Sequence, residues 1–284
     1  MMISSDRGHV IIYDFNTKWV ICNIQMNEPV ISILWSSFKL NRFYLGTKTG
    51  HFYICELYNK SIQIMRSINF SIYSASLTEN ILKSVDYIAQ DDIGGLTIAI
   101  ASKDGVIRYI SNLNDNKNSK LQVFQQLSFQ SPISPNDKTN ISINFLRFYP
   151  NYEDCVIIAT NISTSLLSFS KGVLIPFIQA RDCKFISLLE NEDDKVLVGN
   201  DIDVSIWKFT NQNRVRTCTS LLSANPCETE ILTFSKLQNK ILLTTASNWL
   251  TEIACRRNKV FISKRIKMMK MVIYLQIDIF NQRI

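Results

Sequence analysis

Six times along the chain an apolar run is followed by a short polar turn, and then by a second run in which apolar and polar positions alternate. The stretches are ISSDRGHVIIYDF (3–15), RFYLGTKTGHFYICEL (42–57), IAIASKDGVIRYISNL (98–113), VIIATNISTSLLSF (156–169), KVLVGNDIDVSIWKF (195–209) and ILLTTASNWLTEIAC (241–255). Alternation with a period of two puts successive side chains on opposite faces of a strand, so each stretch predicts a hairpin. Aligned on Val10, Phe52, Ile107, Thr164, Val204 and Leu250, the hairpins recur at spacings of 42, 55, 57, 40 and 46 residues. The two long spacings hold polar insertions, YSASLTENILK in one and NDNKNSK with SPISPNDKTN in the other. Another strand pattern precedes most hairpins, as in PVISILWSS (29–37), LKSVDYIAQ (82–90), NISINFLRFYP (140–150), CKFISLLENE (183–192) and ETEILTFSK (228–236). A fourth follows, as in KWVICNI (18–24) and KSIQIMRSI (60–68).

The repeating unit is therefore four short strands, and no 3.6-residue period is sustained anywhere. This predicts an all-β chain. A single four-stranded sheet cannot bury both of its faces. Packing such sheets radially does so and protects their edges, which is the β-propeller solution. The pattern predicts about five complete four-stranded blades and one partial blade within residues 1–255, with blade ends near 15, 57, 113, 169, 209 and 255. Residues 256–284 form a basic C-terminal segment that could complete a blade. The first hairpin has no strand before it, and after Cys255 only KVFISKRIKM and MVIYLQIDIF offer strands. Either the tail closes the ring or the chain is an incomplete part of a seven-bladed one. The second is the expectation, because an open ring leaves two sheet edges exposed.

The stretch VISILWSSFKLNRFYLGTKTGHFYICELYNKSIQIMRSI resembles a WD40 repeat over all four of its strands, named a to d. GTKTGH occupies the b–c turn where such repeats carry SxDG, and SKDG at 102–105 matches that turn closely. The dipeptide ending strand c takes degenerate forms in Tyr13-Asp14, Cys55-Glu56 and Trp207-Lys208. The Gly-His dipeptide that precedes strand a in the family is absent, since His9 and His51 fall in b–c turns, so the family's hydrogen-bonded tetrad transfers to no residue here. With eight glycines, several turns must place Asn, Asp or Ser at positive φ. The resemblance implies a divergent propeller acting as a non-enzymatic scaffold, presenting loops of its top face to proteins of an intracellular multi-subunit complex. Residues 204–268 also resemble, more faintly, repeats of the cirhin-type subunits of the small-subunit processome. That likeness would imply a nucleolar role in ribosome biogenesis, in contact with RNA or pre-ribosomal proteins. A vesicle-trafficking subunit is the rival within the propellers.

Composition narrows the setting. Of 284 residues 46% are hydrophobic and 19% charged, which supports a substantial core. The seven cysteines (Cys22, Cys55, Cys155, Cys183, Cys218, Cys227 and Cys255) are scattered, never form CxxC, and mostly lie in apolar runs. They read as reduced core thiols of an intracellular protein, cytoplasmic or nuclear. No secretory leader is apparent and no apolar run reaches the length of a membrane span. The net charge of +7 is concentrated: residues 256–284 hold eight of 31 basic and one of 24 acidic groups, leaving 23 of each in residues 1–255.

That basic segment, RRNKVFISKRIKMMK, supplies the candidate contact patch: Arg256, Arg257, Lys259, Lys264, Arg265, Lys267 and Lys270. Three readings compete. It could be a solvated outer strand burying Val260, Ile262 and Ile266, a phosphate-contacting surface for RNA, or a site for anionic lipid or an acidic partner. No FRRG motif of the phosphoinositide-binding propellers is present. GTKTGH fails as a phosphate loop because a strand, not a helix, follows its second glycine. His9 and His51 lie in different blades and read as polar turn residues without chemistry. The acidic run ENEDD (190–194) reads as a solvated loop, and Trp19, Trp35, Trp207 and Trp249 read mostly as packing between blades, although an exposed one would be a binding anchor. No catalytic residue, metal ligand, cofactor or small-molecule substrate is predicted, and no membrane insertion.

Overall fold

The structure, a computed structural model, describes residues 2–14, 17–70, 84–91, 93–102, 105–113, 120–124, 142–149, 154–178, 183–189, 192–200, 204–208, 217–219, 231–237, 240–245, 249–256 and 259–267. Every regular element among them is a strand. The chain divides into two compact units, Met1–Gln179 and Ala180–Ile284.

The first unit contains four antiparallel sheets in chain order. Sheet one has three strands, β1 (Met2–Ser4), β2 (His9–Asp14) and β3 (Trp19–Gln25). Sheet two comprises β4 (Val30–Trp35), β5 (Arg42–Thr47), β6 (His51–Tyr58) and β7 (Ser61–Asn69). Sheet three comprises β8 (Tyr87–Gln90), β9 (Ile98–Ala101), β10 (Ile107–Ser111) and β11 (Lys120–Phe124). Sheet four comprises β12 (Ile143–Phe148), β13 (Cys155–Thr160), β14 (Thr164–Ser168) and β15 (Val173–Ile178). Each is a simple meander in which sequential strands pair. Sheet one supplies strands b to d and the others strands a to d, so the three a–b and four c–d turns fall at one end of their sheets, and the b–c turns and d–a connections at the other.

The order of side chains along β5 explains why the sheets stack. Phe43, Leu45 and Cys55 pack on one side with Val10, Ile12 and Met26 of sheet one. Tyr44, Phe52 and Ile54 pack on the other side with Val85, Ile98 and Ile100 of sheet three. The register Phe43↔Cys55 and Tyr44↔Ile54 keeps each pair on a common face. Sheet three repeats the arrangement, turning Ile98 and Ile100 toward sheet two and the small Ala99 and Ala101 toward Phe148, Val156 and Ile158 of sheet four. A sheet with both faces covered reads as an unbroken apolar run in its middle strands, which is how RFYL and IAIA look. Fully burying one such aromatic or branched side chain contributes about 1.5–3 kcal/mol.

The second unit contains two four-stranded meanders. One comprises β16 (Phe185–Leu189), β17 (Glu192–Gly199), β18 (Val204–Lys208) and β19 (Thr217–Thr219). The other comprises β20 (Ile231–Leu237), β21 (Lys240–Thr245), β22 (Trp249–Arg256) and β23 (Lys259–Lys267). The five four-stranded sheets and one three-stranded sheet match the repeat count read from the hairpins, and each alignment anchor is the first or second residue of a strand c. One expectation needs correction: Glu192, Asp193 and Asp194 do not lie in a loop but open β17, with Glu192 opposite Leu189 across a bulge. The insertions at 73–83 and 131–140, and MVIYLQIDIF at 271–280, lie outside the described residues.

Candidate interaction surface

At the b–c and d–a end of the first unit, polar side chains bind one another. GTKTGH is a hairpin tip: β5 ends at Thr47, β6 starts at His51, and Gly50 between them has φ 96°. The amide of His51 donates to Thr47 Oγ1 at 2.9 Å. His51 Nδ1 sits 2.9 Å from one carboxylate oxygen of Glu28, and Tyr53 Oη donates to the same oxygen at 2.7 Å. Burial, then the neighbouring Glu28, pushes the Tyr53 phenol up to about 12. Glu28 lies in the connection between β3 and β4, so the network ties that connection to the hairpin tip. His51 thus has a carboxylate in reach, but the nearby Thr49 hydroxyl contacts the same ring nitrogen at 3.4 Å. A base that uses one nitrogen for both acid and hydroxyl cannot relay a proton from one to the other.

The SKDG turn follows the same logic. The Ser102 amide donates to the Val106 carbonyl at 2.9 Å, and Gly105, at φ 94°, donates to the Ser102 carbonyl at 3.1 Å. Close approach at this end is severe at Gly46, where a Cβ would stand 2.2 Å from Ser32 Oγ and 2.3 Å from Val85 Cγ1.

The a–b and c–d end is different. Of the eleven large apolar side chains exposed among the described residues, eight lie here: Trp19, Val20, Phe38, Leu40, Tyr58, Ile93, Leu96 and Val173. The other three are Ile31 in β4 and Ile64 and Met65 in β7. The a–b turns of sheets two and three meet. Ser37 N donates to Gln90 Oε1 at 3.2 Å, Gln90 Nε2 donates to the Gly95 carbonyl at 2.8 Å, and the Phe38 ring lies so close over Gly95 (φ 65°) that a Cβ there would clash with it. Asp91, buried, holds the sheet-three turn by accepting from the amides of Ile93, Gly94 and Gly95 through Oδ1 and of Thr97 through Oδ2. The Leu57 amide donates to the Asn41 carbonyl at 2.7 Å, which extends the β5–β6 pairing one step beyond Arg42↔Glu56.

The tryptophans divide. Trp35 packs its ring 5.1 Å from that of Phe43, and Trp207 donates through Nε1 to Ser205 Oγ at 2.9 Å. Trp19 is the exposed exception among them, 73% exposed at the start of β3. Cys55 and Cys183 are buried free thiols, and burial pushes the Cys55 thiol up to about 12. The prediction that Asn, Asp or Ser would take positive φ holds for Asn59 and Asn112, but Lys18 and Lys60 take it too. The side chains missed from sequence, Phe38, Leu40, Ile93 and Leu96, did leave a signal: apolar residues set within turn-forming SSFKLN and DDIGGL.

The basic segment is the outer strand of the last sheet. Arg256 ends β22, and Lys259, Lys264, Arg265 and Lys267 lie in β23, opposite Arg256, Glu252, Thr251 and Trp249 respectively. A bulge at Ser263, whose hydroxyl donates to the Glu252 carboxylate, interrupts the ladder. Arg257 and Lys270 lie outside the described residues. Among the described residues no group of three or more His, Cys, Asp or Glu is placed to hold a metal ion, and no helix is long and apolar enough to cross a membrane.

The antiparallel four-stranded sheets and the comparison with solved structures support a β-propeller fold. The chain is similar to one in a structure titled "Crystal Structure of Mitotic Checkpoint Complex", with a TM-score of 0.62 and 11% sequence identity, over 94% of this chain and 77% of that one. No family model matches the chain, and no curated protein matches its sequence.

Proposed function

We propose that this chain is a non-enzymatic propeller scaffold that holds protein partners within an intracellular multi-subunit complex. The observation that carries the reading is the exposed apolar end of the first unit, on a fold whose other described apolar surface is largely buried between sheets. A soluble monomer rarely leaves so many large apolar side chains in one region unless something covers them. The similar solved structure is, by its title, itself a complex, which fits the reading without fixing the partner. Affinity purification of the full chain with mass spectrometry tests it. Stoichiometric protein partners are expected, and a chain recovered alone at physiological salt overturns it.

A second reading rests on β23. Four basic residues in one sheet-edge strand suit contact with RNA phosphates, as a pre-ribosomal role in the nucleolus would need. RNA retention that falls steeply with salt and disappears in Lys264→Ala/Arg265→Ala/Lys267→Ala supports it. Retention on liposomes instead favours a vesicle-trafficking subunit.

A further inference from the structure

We propose that the a–b and c–d end of the first unit docks an acidic, amphipathic segment of a partner protein, the apolar anchors being Trp19, Phe38, Leu40, Tyr58, Ile93 and Leu96. The inference rests on the scaffold reading and gives it a surface and a partner chemistry.

The apolar half of the argument is geometric. Leu40 is 78% exposed and Trp19 73% exposed, whereas Phe38 is braced on Gly95. Phe38 is thus exposed but held, which lowers the entropy lost when a partner covers it.

The electrostatic half identifies the occupant. Every described carboxylate at this end is engaged within the chain. Asp14 accepts from Thr17, Glu56 from Arg42 at 2.7 Å, Asp91 from four backbone amides, and Asp154 from Ser168 and Ser170. The lysines point the other way. Lys18, Lys60, Lys120 and Lys171 recur at the c–d turn or the start of strand d in all four sheets, each exposed, and Lys39 adds a fifth, reaching Glu56 only at 4.0 Å. Two of them carry a conformational cost. Lys18 has φ 59° and Lys60 has φ 63°, the left-handed region where glycine is favoured. Retaining a strained cation at equivalent turns of two sheets points to a use for the charge.

Apolar anchors ringed by exposed lysines match a segment with Leu or Phe on one face and Glu or Asp on the other. An anionic bilayer fits less well, because it would press its headgroups onto the half-buried carboxylates of Glu56 and Asp154. RNA fits less well because Leu40, Ile93 and Leu96 give bases no stacking surface.

The test uses the full chain and two short fluorescein-labelled amphipathic peptides, each with Leu and Phe on one face. One carries Glu and the other Lys on its polar face, and binding is read by fluorescence anisotropy. The Glu peptide is expected to bind at least about tenfold tighter than the Lys peptide. Leu40→Asp should weaken it about tenfold or more, and Lys18→Glu/Lys60→Glu should reverse the preference. Lys60→Gly should raise the urea midpoint while weakening the Glu peptide, an outcome that damage to folding cannot produce. Equal binding of both peptides, no binding of either, or indifference to Leu40→Asp overturns the proposal. So does sedimentation showing a dimer that Leu40→Asp dissolves, or phosphatidylserine vesicles that bind the chain through this end. If the purified complex survives Leu40→Asp intact, this surface is wrong while the scaffold reading stands. If no complex exists in the wild type, the scaffold reading fails on its own account.

Discussion

At the b–c end of the first unit, hydrogen bonds run between connections: Glu28 reaches His51 and Tyr53, the Val85 amide donates to Thr47 at 2.9 Å, and Ser32 donates to the Val85 carbonyl. At the a–b end the acids are satisfied within their own sheets, and apolar side chains and lysines are left outside. Both ends come from one four-stranded repeat, so strand pattern alone cannot have produced the contrast. It is written in the turns. Polar turn residues that satisfy one another across sheets consolidate the fold, while turns whose acids are satisfied within the sheet and whose other groups stay exposed keep a surface available.

If that division is right, substitutions at the two ends should differ in kind. The largest effect is expected at the consolidating end. Gly46→Ala drives a Cβ into Ser32 and the Val85 side chain, and should cost about 3 kcal/mol in urea denaturation. Asp91→Ala, at the other end but inward-facing, strips an acceptor from four amides and should cost about 2 kcal/mol by the same measurement. Tyr53→Phe removes one bond to Glu28 and should cost about 1 kcal/mol at pH 8. Because the folded phenol titrates at about 12 against 10.0 for the free group, that cost is fully present below pH 10 and should shrink as pH rises toward 12.

Asp154 should give a smaller, acid-side effect. Burial raises its carboxyl, but hydrogen bonds from Ser170 and Ser168 and the charge of Lys171 outweigh this and lower it below 3.8. Asp154→Asn should therefore destabilise above that value, and the difference in urea midpoint should vanish as pH falls through the depressed one. The smallest effect belongs to the exposed anchors: Leu40→Ser should change stability by no more than about 0.5 kcal/mol. A large loss there would show that the apolar end consolidates the fold after all.

Much of this architecture was legible because hairpins are local. FYL, turn and FYIC lie within one short stretch, and a period of two cannot be mistaken for a helix once six copies align. The burial of FYL and IAIA on both faces fits those runs, since a sheet covered on both sides tolerates unbroken apolar residues. The interaction end was less legible. Phe38 and Ile93 are separated by 55 positions, and nothing in either segment says that Phe38 will rest on Gly95. Trp19 could not be told from the tryptophans that pack, since all four lie in strands or at strand ends. The left-handed lysines were invisible for another reason: Lys has no preference for that conformation, so no turn rule points to it.

The covering of β5 on both sides has a kinetic corollary. Amide protons of residues 43–46 cannot reach solvent by peeling one sheet from its neighbour, since the opposite layer stays in place. Their deuterium uptake should track global opening, whereas β7 and β15, at the rims of their sheets, should exchange through local fraying. The repeat thus confers a graded resistance to proteolysis, with the polypeptide most open to attack where its outermost strands begin.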